Sequence, residues 1–394
     1  MNFTRSMVVF LAAGVLFAAF GQTYSGLSYA TVASDKLDIY MPTGGGKPYP
    51  VIVWIHGGGF SSGSRTEGNA SQLAGMFGRL GVAIVSIDYR LSGVAQWPAQ
   101  IQDCKAAIRW IRANAATYTF DPNRIGAAGG SAGGHLSSML GTAGGIGLDT
   151  LGTAIMDLEG TVGGNNQYSS GIQAVCDMYG PIDLLSLNDA CPQGNPTVST
   201  IDHDAAGSPE GLLMGAMIQT IPDKTKMASP LSFVSSDDPP FLIVHGDRDA
   251  SIPVCQSIKF SDSLKKAFAA NKKECTLIQL PTQGHGFSVT VAQDSIIAFF
   301  TRTLVSNTPT IKNSSAGLNA LPHVVINNSY FSVVSKKPFA LTISDAQGRV
   351  LLSKHCEGSI TAYSATSGQW GSGLRVCTIQ TEKAVRTFTF VNIR

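Results

Sequence analysis

A chain of 394 residues with a net charge of +2 and 14% charged residues lies well below the roughly 25% charge of ordinary globular proteins. It offers no basic field for nucleic acid or for an acidic membrane surface. A hydrophobic share of 44% is enough for a sizeable core, and the length leaves residues over. Seven cysteines without CxxC or Cys/His ligand spacing suggest no metal, and in an exported chain they permit disulfides but leave at least one cysteine unpaired.

In chain order, residues 1–21 have the make-up of a signal peptide. Arg5 supplies a basic start, and the uncharged apolar run 7–20 is too short for a typical membrane span. Ala19-Phe20-Gly21 puts small residues where a signal peptidase reads, so cleavage is expected after Gly21. From 37 to 139 strands and helices alternate. Strands are predicted at 37–41, 51–55, 82–88 and 125–128, and helices at 72–80, 98–115 and 132–140. This order implies a largely parallel sheet covered on both faces, an α/β fold. Residues 141–171, rich in Gly, Thr and Asn, read as an irregular surface excursion. A strand follows at 173–179, then a partly helical insertion at 184–230 expected near the substrate. Strands at 241–245 and 276–280 and helices at 254–270 and 291–305 close the unit.

Composition then shifts. Residues 306–320 read as a Ser/Thr/Asn/Pro linker, and 321–394 as a small all-β domain. In that domain, strands 340–344 and 349–353 flank the turn Asp345-Ala346-Gln347-Gly348, and two more strands lie at 374–381 and 385–393. Cys356 and Cys377 are the two cysteines of this stretch and are candidates to staple it. Cys255 and Cys275 flank a helix of about 22 Å and should not pair. Cys191 and Cys255 are both expected at the active-site rim, with a disulfide between them as one pairing, and Cys104 is expected to be a buried thiol.

The chemistry centres on Gly129-Gly130-Ser131-Ala132-Gly133, with His56-Gly57-Gly58-Gly59 upstream. The first places a serine on a turn so tight that only small neighbours fit, and the second supplies free backbone N–H groups. A serine hydroxyl needs a base, and the base needs an acid to hold its tautomer. In this architecture they follow the serine in the order acid, then histidine. His56, His135, His203 and His245 precede every plausible acid or have other roles, and His323 and His355 belong to the β module. His285, between two glycines, remains. The acid lies in His245-Gly246-Asp247-Arg248-Asp249, with Asp249 favoured and Asp247 the alternative. Whichever is not the acid is expected to serve the turn. Gly57, Gly58 and Ala132 are the expected oxyanion donors. His56 is expected to support the glycine loop, and His135 to be structural. Phe60, Trp97, Tyr89 and Phe287 are candidates for an aromatic acyl subsite, and Asp88-Tyr89-Arg90 reads as an internal hydrogen-bonding corner.

Several segments together resemble bacterial secreted carboxylesterases. These are His56–Phe60, Asp88–Arg90, Pro98–Trp110, Gly129–Leu136, Pro239–Gly246 and Gly284–Phe287. They are most similar to the BD-FAE type, the feruloyl and acetyl-xylan esterase-like hydrolases of plant-fibre degraders. The resemblance spans residues 25–305. It implies an α/β-hydrolase fold, a Ser131–Asp249–His285 triad, a cofactor-free acyl-enzyme mechanism and plant cell-wall esters as substrates. Gly130 departs from the pattern, since many relatives carry an acidic residue there. The C-terminal stretch resembles the β-sandwich sorting domains of type IX secretion, with a carbohydrate-binding module as the rival, and so implies secretion machinery as a partner. The alternatives to an esterase are a serine peptidase of the same fold and a catalytically silent binding homologue.

Overall fold

The computed structural model describes residues 23–305, apart from 193–195 and 197, and strand segments between 323 and 392. The expected signal peptide and linker lie outside the described residues, as does most of the expected turn at 345–348.

The first part of the chain runs β1 (Tyr24–Ser28), β2 (Lys36–Tyr40), β3 (Tyr49–Ile55), α1 (Asn69–Phe77), β4 (Ala83–Ile87), α2 (Ala99–Ala113), α3 (Ala115–Tyr118), β5 (Phe120–Gly130) and α4 (Ala132–Thr142). It continues with β6 (Leu148–Leu151), β7 (Ala154–Asp157), β8 (Ala174–Met178), α5 (Pro209–Met214), α6 (Pro222–Lys226), β9 (Phe241–Gly246), α7 (Cys255–Phe268), β10 (Cys275–Leu280) and α8 (Gln293–Phe300). One eight-stranded sheet has the order β1-β2-β4-β3-β5-β8-β9-β10. Its first three strands pair antiparallel, and from β4 to β10 every pairing is parallel. The expected, largely parallel sheet is present. The antiparallel strand β1 was not legible, because its Tyr-Ser-Gly-Leu-Ser is short and half-exposed and forms by pairing with β2.

The apolar runs explain the layering. All seven residues of β3 (Tyr-Pro-Val-Ile-Val-Trp-Ile) are buried, as a central parallel strand covered on both faces requires. Val51, Val53 and Ile55 face one hydrophobic layer, with α2 and α7, while Ile52 and Trp54 face the other, with α1 and α8. The alternation of the strand thus supplies both cores.

Residues 141–171 are not simply irregular. They contain the β6–β7 hairpin and return Glu159 to α2. Lys105 and Arg109 of α2 are fully buried, and Glu159 pairs with both, Lys105 at 3.2 Å. The excursion therefore supplies the countercharge that two buried cations require.

In the C-terminal stretch the described backbone forms two antiparallel sheets. One contains β11 (His323–Ile326), β12 (Tyr330–Val334) and β15 (Thr361–Ser364). The other contains β13 (Phe339–Asp345), β14 (Val350–Cys356), β16 (Gly373–Gln380) and β17 (Val385–Asn392). The register corrects the proposed staple. β14 and β16 flank β13, with Cys356 opposite Phe339 and Cys377 opposite Ile343. Two strand spacings across and four residues along separate their Cα atoms by roughly 16 Å, whereas a disulfide allows about 7 Å.

Candidate active site

Ser131 sits between β5 and α4 with φ 56° and ψ −123°, a conformation that costs a side-chain-bearing residue about 1–3 kcal/mol. The turn is held by the Ser131 N–H to the Met178 carbonyl (2.9 Å) and the His135 N–H to the Ser131 carbonyl (3.0 Å). Its tightness explains the flanking glycines. A Cβ on Gly133 would lie 2.0 Å from the Ile55 carbonyl oxygen, and one on Gly129 would lie 2.3 Å from the Gly133 backbone. Only bare backbone lets α4 start this close to β3, and that lifts the serine clear of the sheet.

Three expected residues meet in one line. The Ser131 Oγ is 2.9 Å from His285 Nε2, and His285 Nδ1 is 2.8 Å from Asp249 Oδ2. Asp249 Oδ1 accepts the Ser251 and Ile252 N–H groups, each at 2.9 Å. Asp249 is buried, which by itself would raise its pKa. Hydrogen bonds and charge from His245 and His285 outweigh this and hold the carboxyl far below the ordinary range. Asp247 instead accepts the Thr282 N–H at 2.7 Å and so ties the acid loop to the histidine loop.

His245 makes a contact that sequence order did not assign. It is fully buried, with Nε2 2.9 Å from the Ile252 carbonyl and 3.2 Å from Asp249 Oδ2. Both neighbours are acceptors, so Nε2 carries a proton, and Nδ1 pairs with the Ser257 hydroxyl at 2.6 Å. The acid thus receives two histidine donors. No local motif marks this, because it depends on the end of β9 folding beside the acid loop.

A cavity of about 430 Å³ opens at the serine. Gly57, Gly58 and Ala132 line it beside Ser131 and His285. Gly58 has φ +104°, and a Cβ there would lie 2.3 Å from the Ser62 carbonyl oxygen, so the loop requires glycine. The Ala132 N–H is the first of α4 and has no intrahelical acceptor.

The aromatic expectation is partly corrected. Phe60 borders the cavity, but Trp97, Tyr89 and Phe287 do not. Trp97 and Phe60 pack edge-on against His135, Tyr89 stacks on His56 at 4.3 Å, and Phe287 meets Tyr179 at 4.5 Å. They brace the site from within the core. His56 Nδ1 donates to the Gly57 carbonyl at 2.8 Å, supporting the loop as expected. Buried His135 donates from Nδ1 to the Pro181 carbonyl at 2.8 Å, and burial lowers its pKa to about 4, so it stays neutral. The Asp88–Arg90 corner is built as expected, with Arg65 on Asp88 and Arg90 on Asp103, both at 2.6 Å.

Gly130 has a local cause. A Cβ there would lie 2.6 Å from the Tyr179 hydroxyl. That hydroxyl donates to the Phe287 carbonyl at 3.0 Å, and the ring stands edge-on to His285. Tyr179 fills the place a side chain at 130 would take and braces the histidine loop.

The 184–230 insertion reaches the cavity through Ile201, His203, Pro209 and Glu210, as expected of it, and Glu67 and Asn69 line it from the start of α1. Cys191 Sγ accepts the Cys255 N–H at 3.1 Å, and both cysteines are free thiols. Cys104 is a buried thiol, as expected.

A parallel sheet with a serine elbow, and an acid and a histidine on later loops, defines an α/β-hydrolase unit. Residues 37–264 match the BD-FAE family, and the chain belongs to it. Esterase LipC of Mycobacterium tuberculosis is 32% identical over 265 residues, 66% of this chain and 59% of LipC. Esterase LipQ of the same organism is 32% identical over 62% of this chain and 52% of LipQ. The chain therefore spans a little over half the length of these relatives. A truncated carbohydrate esterase from gut microbiota superposes with a TM-score of 0.63 at 34% identity, over 72% of this chain and 96% of that one. A bifunctional GH43-CE protein of Bacteroides eggerthii gives 0.61 at 36% identity, over 71% of this chain and 38% of that one. The matched unit is a carboxylic ester hydrolase domain.

Proposed function

We propose that the whole chain is an exported serine esterase that removes acetyl groups from plant cell-wall polysaccharide such as xylan. The observation that carries the reading is the continuous Ser131–His285–Asp249 line at 2.9 and 2.8 Å opening into a cavity whose largely apolar wall carries Glu67, Asn69, His203 and Glu210. Ser131 Oγ attacks the ester carbonyl while His285 Nε2 takes its proton. The oxyanion is received by the N–H groups of Gly57, Gly58 and Ala132. The bond to the leaving alcohol breaks as His285 returns the proton to it. Water, deprotonated by His285, then releases the acid and restores Ser131.

A small acyl group is favoured over a feruloyl group. Trp54, Phe60 and Tyr179 are the aromatic side chains bordering the cavity, and none is more than 4% exposed. None offers an open ring face on which a phenolic acyl group would stack. The likeness to a carbohydrate esterase supports a sugar as the alcohol. Export through the N-terminal segment, and sorting by secretion machinery through the C-terminal strands, are part of the same proposal and rest on the sequence pattern. Ser131→Ala tests the core of it. Turnover of p-nitrophenyl acetate and labelling by a fluorophosphonate should both disappear while the melting temperature is kept. Acetate release from acetylated xylan, without ferulate release from feruloylated arabinoxylan, is expected of the wild type. Undiminished activity in the variant would refute the mechanism, and release of ferulate in place of acetate would refute the acyl preference.

A further inference from the structure

Glu210 stands in the wall of the catalytic cavity with a role that the triad does not account for. It is 2% exposed, and its Oε2 pairs with His203 Nδ1 at 2.7 Å. Among the described residues, Oε1 accepts no protein hydrogen bond, and the side chain borders the cavity. That oxygen is not sealed off from solvent, so a donor entering the cavity can reach it.

Its position is built, not incidental. Ser208 caps α5 by accepting the Gly211 N–H at 2.9 Å and donates to the His203 carbonyl at 2.8 Å. Pro209, the first residue of α5, packs toward the oxyanion loop, where a Cβ on Gly59 would lie 3.4 Å from it. Behind Glu210, His203 Nε2 points at the Ser251 carbonyl (3.0 Å) and the Ser199 hydroxyl (3.1 Å). Ser251 in turn donates to Asp249. Glu210 is therefore locked between the oxyanion loop and the acid loop, which is where the alcohol or acyl portion of an ester at Ser131 must lie.

The chemistry selects the ligand. Burial works against a charged His203, but Glu210 outweighs it and the imidazole pKa is raised. His203 Nδ1 faces the Glu210 carboxylate and Nε2 faces the Ser251 carbonyl, so both ring nitrogens carry protons and the pair has no net charge. Such a pair does not call for a cation. It offers a fixed acceptor suited to a neutral O–H donor.

We propose that Glu210 Oε1, oriented by His203, binds a free hydroxyl of the substrate's sugar beside the ester and sets the preference for sugar esters over simple ones. This rests on the carbohydrate-ester reading above. The test compares kcat/KM for a mono-O-acetylated xylo-oligosaccharide with that for p-nitrophenyl acetate, using the full-length enzyme. Glu210→Gln keeps an acceptor for His203 Nδ1 but turns a donor NH₂ toward the cavity. The ratio of the two constants should fall about 5–10-fold, and Glu210→Leu should lower it at least about tenfold, as expected for a lost hydrogen bond to a charged group. An analogue lacking the neighbouring hydroxyl should lose a similar factor on the wild type and little more on the variants. If both substrates lose equally, or neither loses, in whichever variant folds, the assignment is overturned and Glu210 is structural. If the wild type does not cleave the acetylated sugar at all, the carbohydrate-ester reading fails and takes this inference with it.

Discussion

Asp249→Asn separates the acid from its neighbour and uses every contact of the group. All four donors around Asp249 point inward: two backbone N–H groups at Oδ1, and His285 Nδ1 with His245 Nε2 at Oδ2. An amide keeps the shape but turns one acceptor into a donor. At Oδ1 the NH₂ would face two backbone N–H groups that cannot turn away, so it must take the Oδ2 position. There it opposes His245 Nε2–H, and His285 must accept at Nδ1 and carry its proton on Nε2. That proton points at Ser131 Oγ, 2.9 Å away, and the base is lost. The expected fall in kcat is about 10³–10⁴, or roughly 4–5.5 kcal/mol of transition-state stabilisation. The unmatched donor at His245 should lower stability by about 1–3 kcal/mol. Steady-state hydrolysis of p-nitrophenyl acetate and the rate of fluorophosphonate labelling measure the first effect, and a thermal melt measures the second. Asp247→Asn is the control. Its Oδ1 serves the Thr282 N–H, so kcat should fall less than about tenfold. Retention of more than about a tenth of wild-type kcat by Asp249→Asn, or an equal loss in Asp247→Asn, would refute the reasoning.

Two further outcomes concern the scaffold. Gly133→Ala puts a Cβ 2.0 Å from the Ile55 carbonyl oxygen, so α4 must shift. We expect a loss of at least about 3 kcal/mol in denaturant unfolding, and unchanged stability would contradict the close approach. Asp35 is fully buried, with one carboxylate oxygen unpartnered, and burial with Asp103 nearby raises its pKa to about 7. The folded state holds this proton more tightly than the unfolded chain, so stability should be highest below pH 4 for this group and fall as the pH rises to about 7. The contribution is at most about 4 kcal/mol. Asp35→Asn should flatten the decline in melting temperature between about pH 4 and 7, and identical slopes in variant and wild type would exclude Asp35 as its source.

Much of this protein is local chemistry. A short run such as Val51–Ile55, apolar at every position, rich in β-branched residues and bounded by glycines and prolines, reads as a strand covered on both faces. Gly129 and Gly133 around a serine can only be a turn on which helix and strand touch. Because catalysis by serine needs a base and an acid in a fixed order, His285 follows by elimination, and the acid is narrowed to two aspartates two positions apart in one loop. What the chain could not announce were contacts between distant segments. The sequence favours Asp249 but leaves Asp247 open, and only the fold turns one to His285 and the other to the Thr282 backbone. The aromatic residues Trp97 and Phe287 have the composition of a subsite, yet packing against His135 and Tyr179 took them into the core. His245, Tyr179 and the Glu210–His203 pair acquire their roles through neighbours 4 to more than 100 positions away. Hydrophobic pattern and backbone sterics act over a few residues and are written in the sequence itself. Which polar groups end up facing one another is decided by how the sheet twists and the insertions fold back, and that required the tertiary structure.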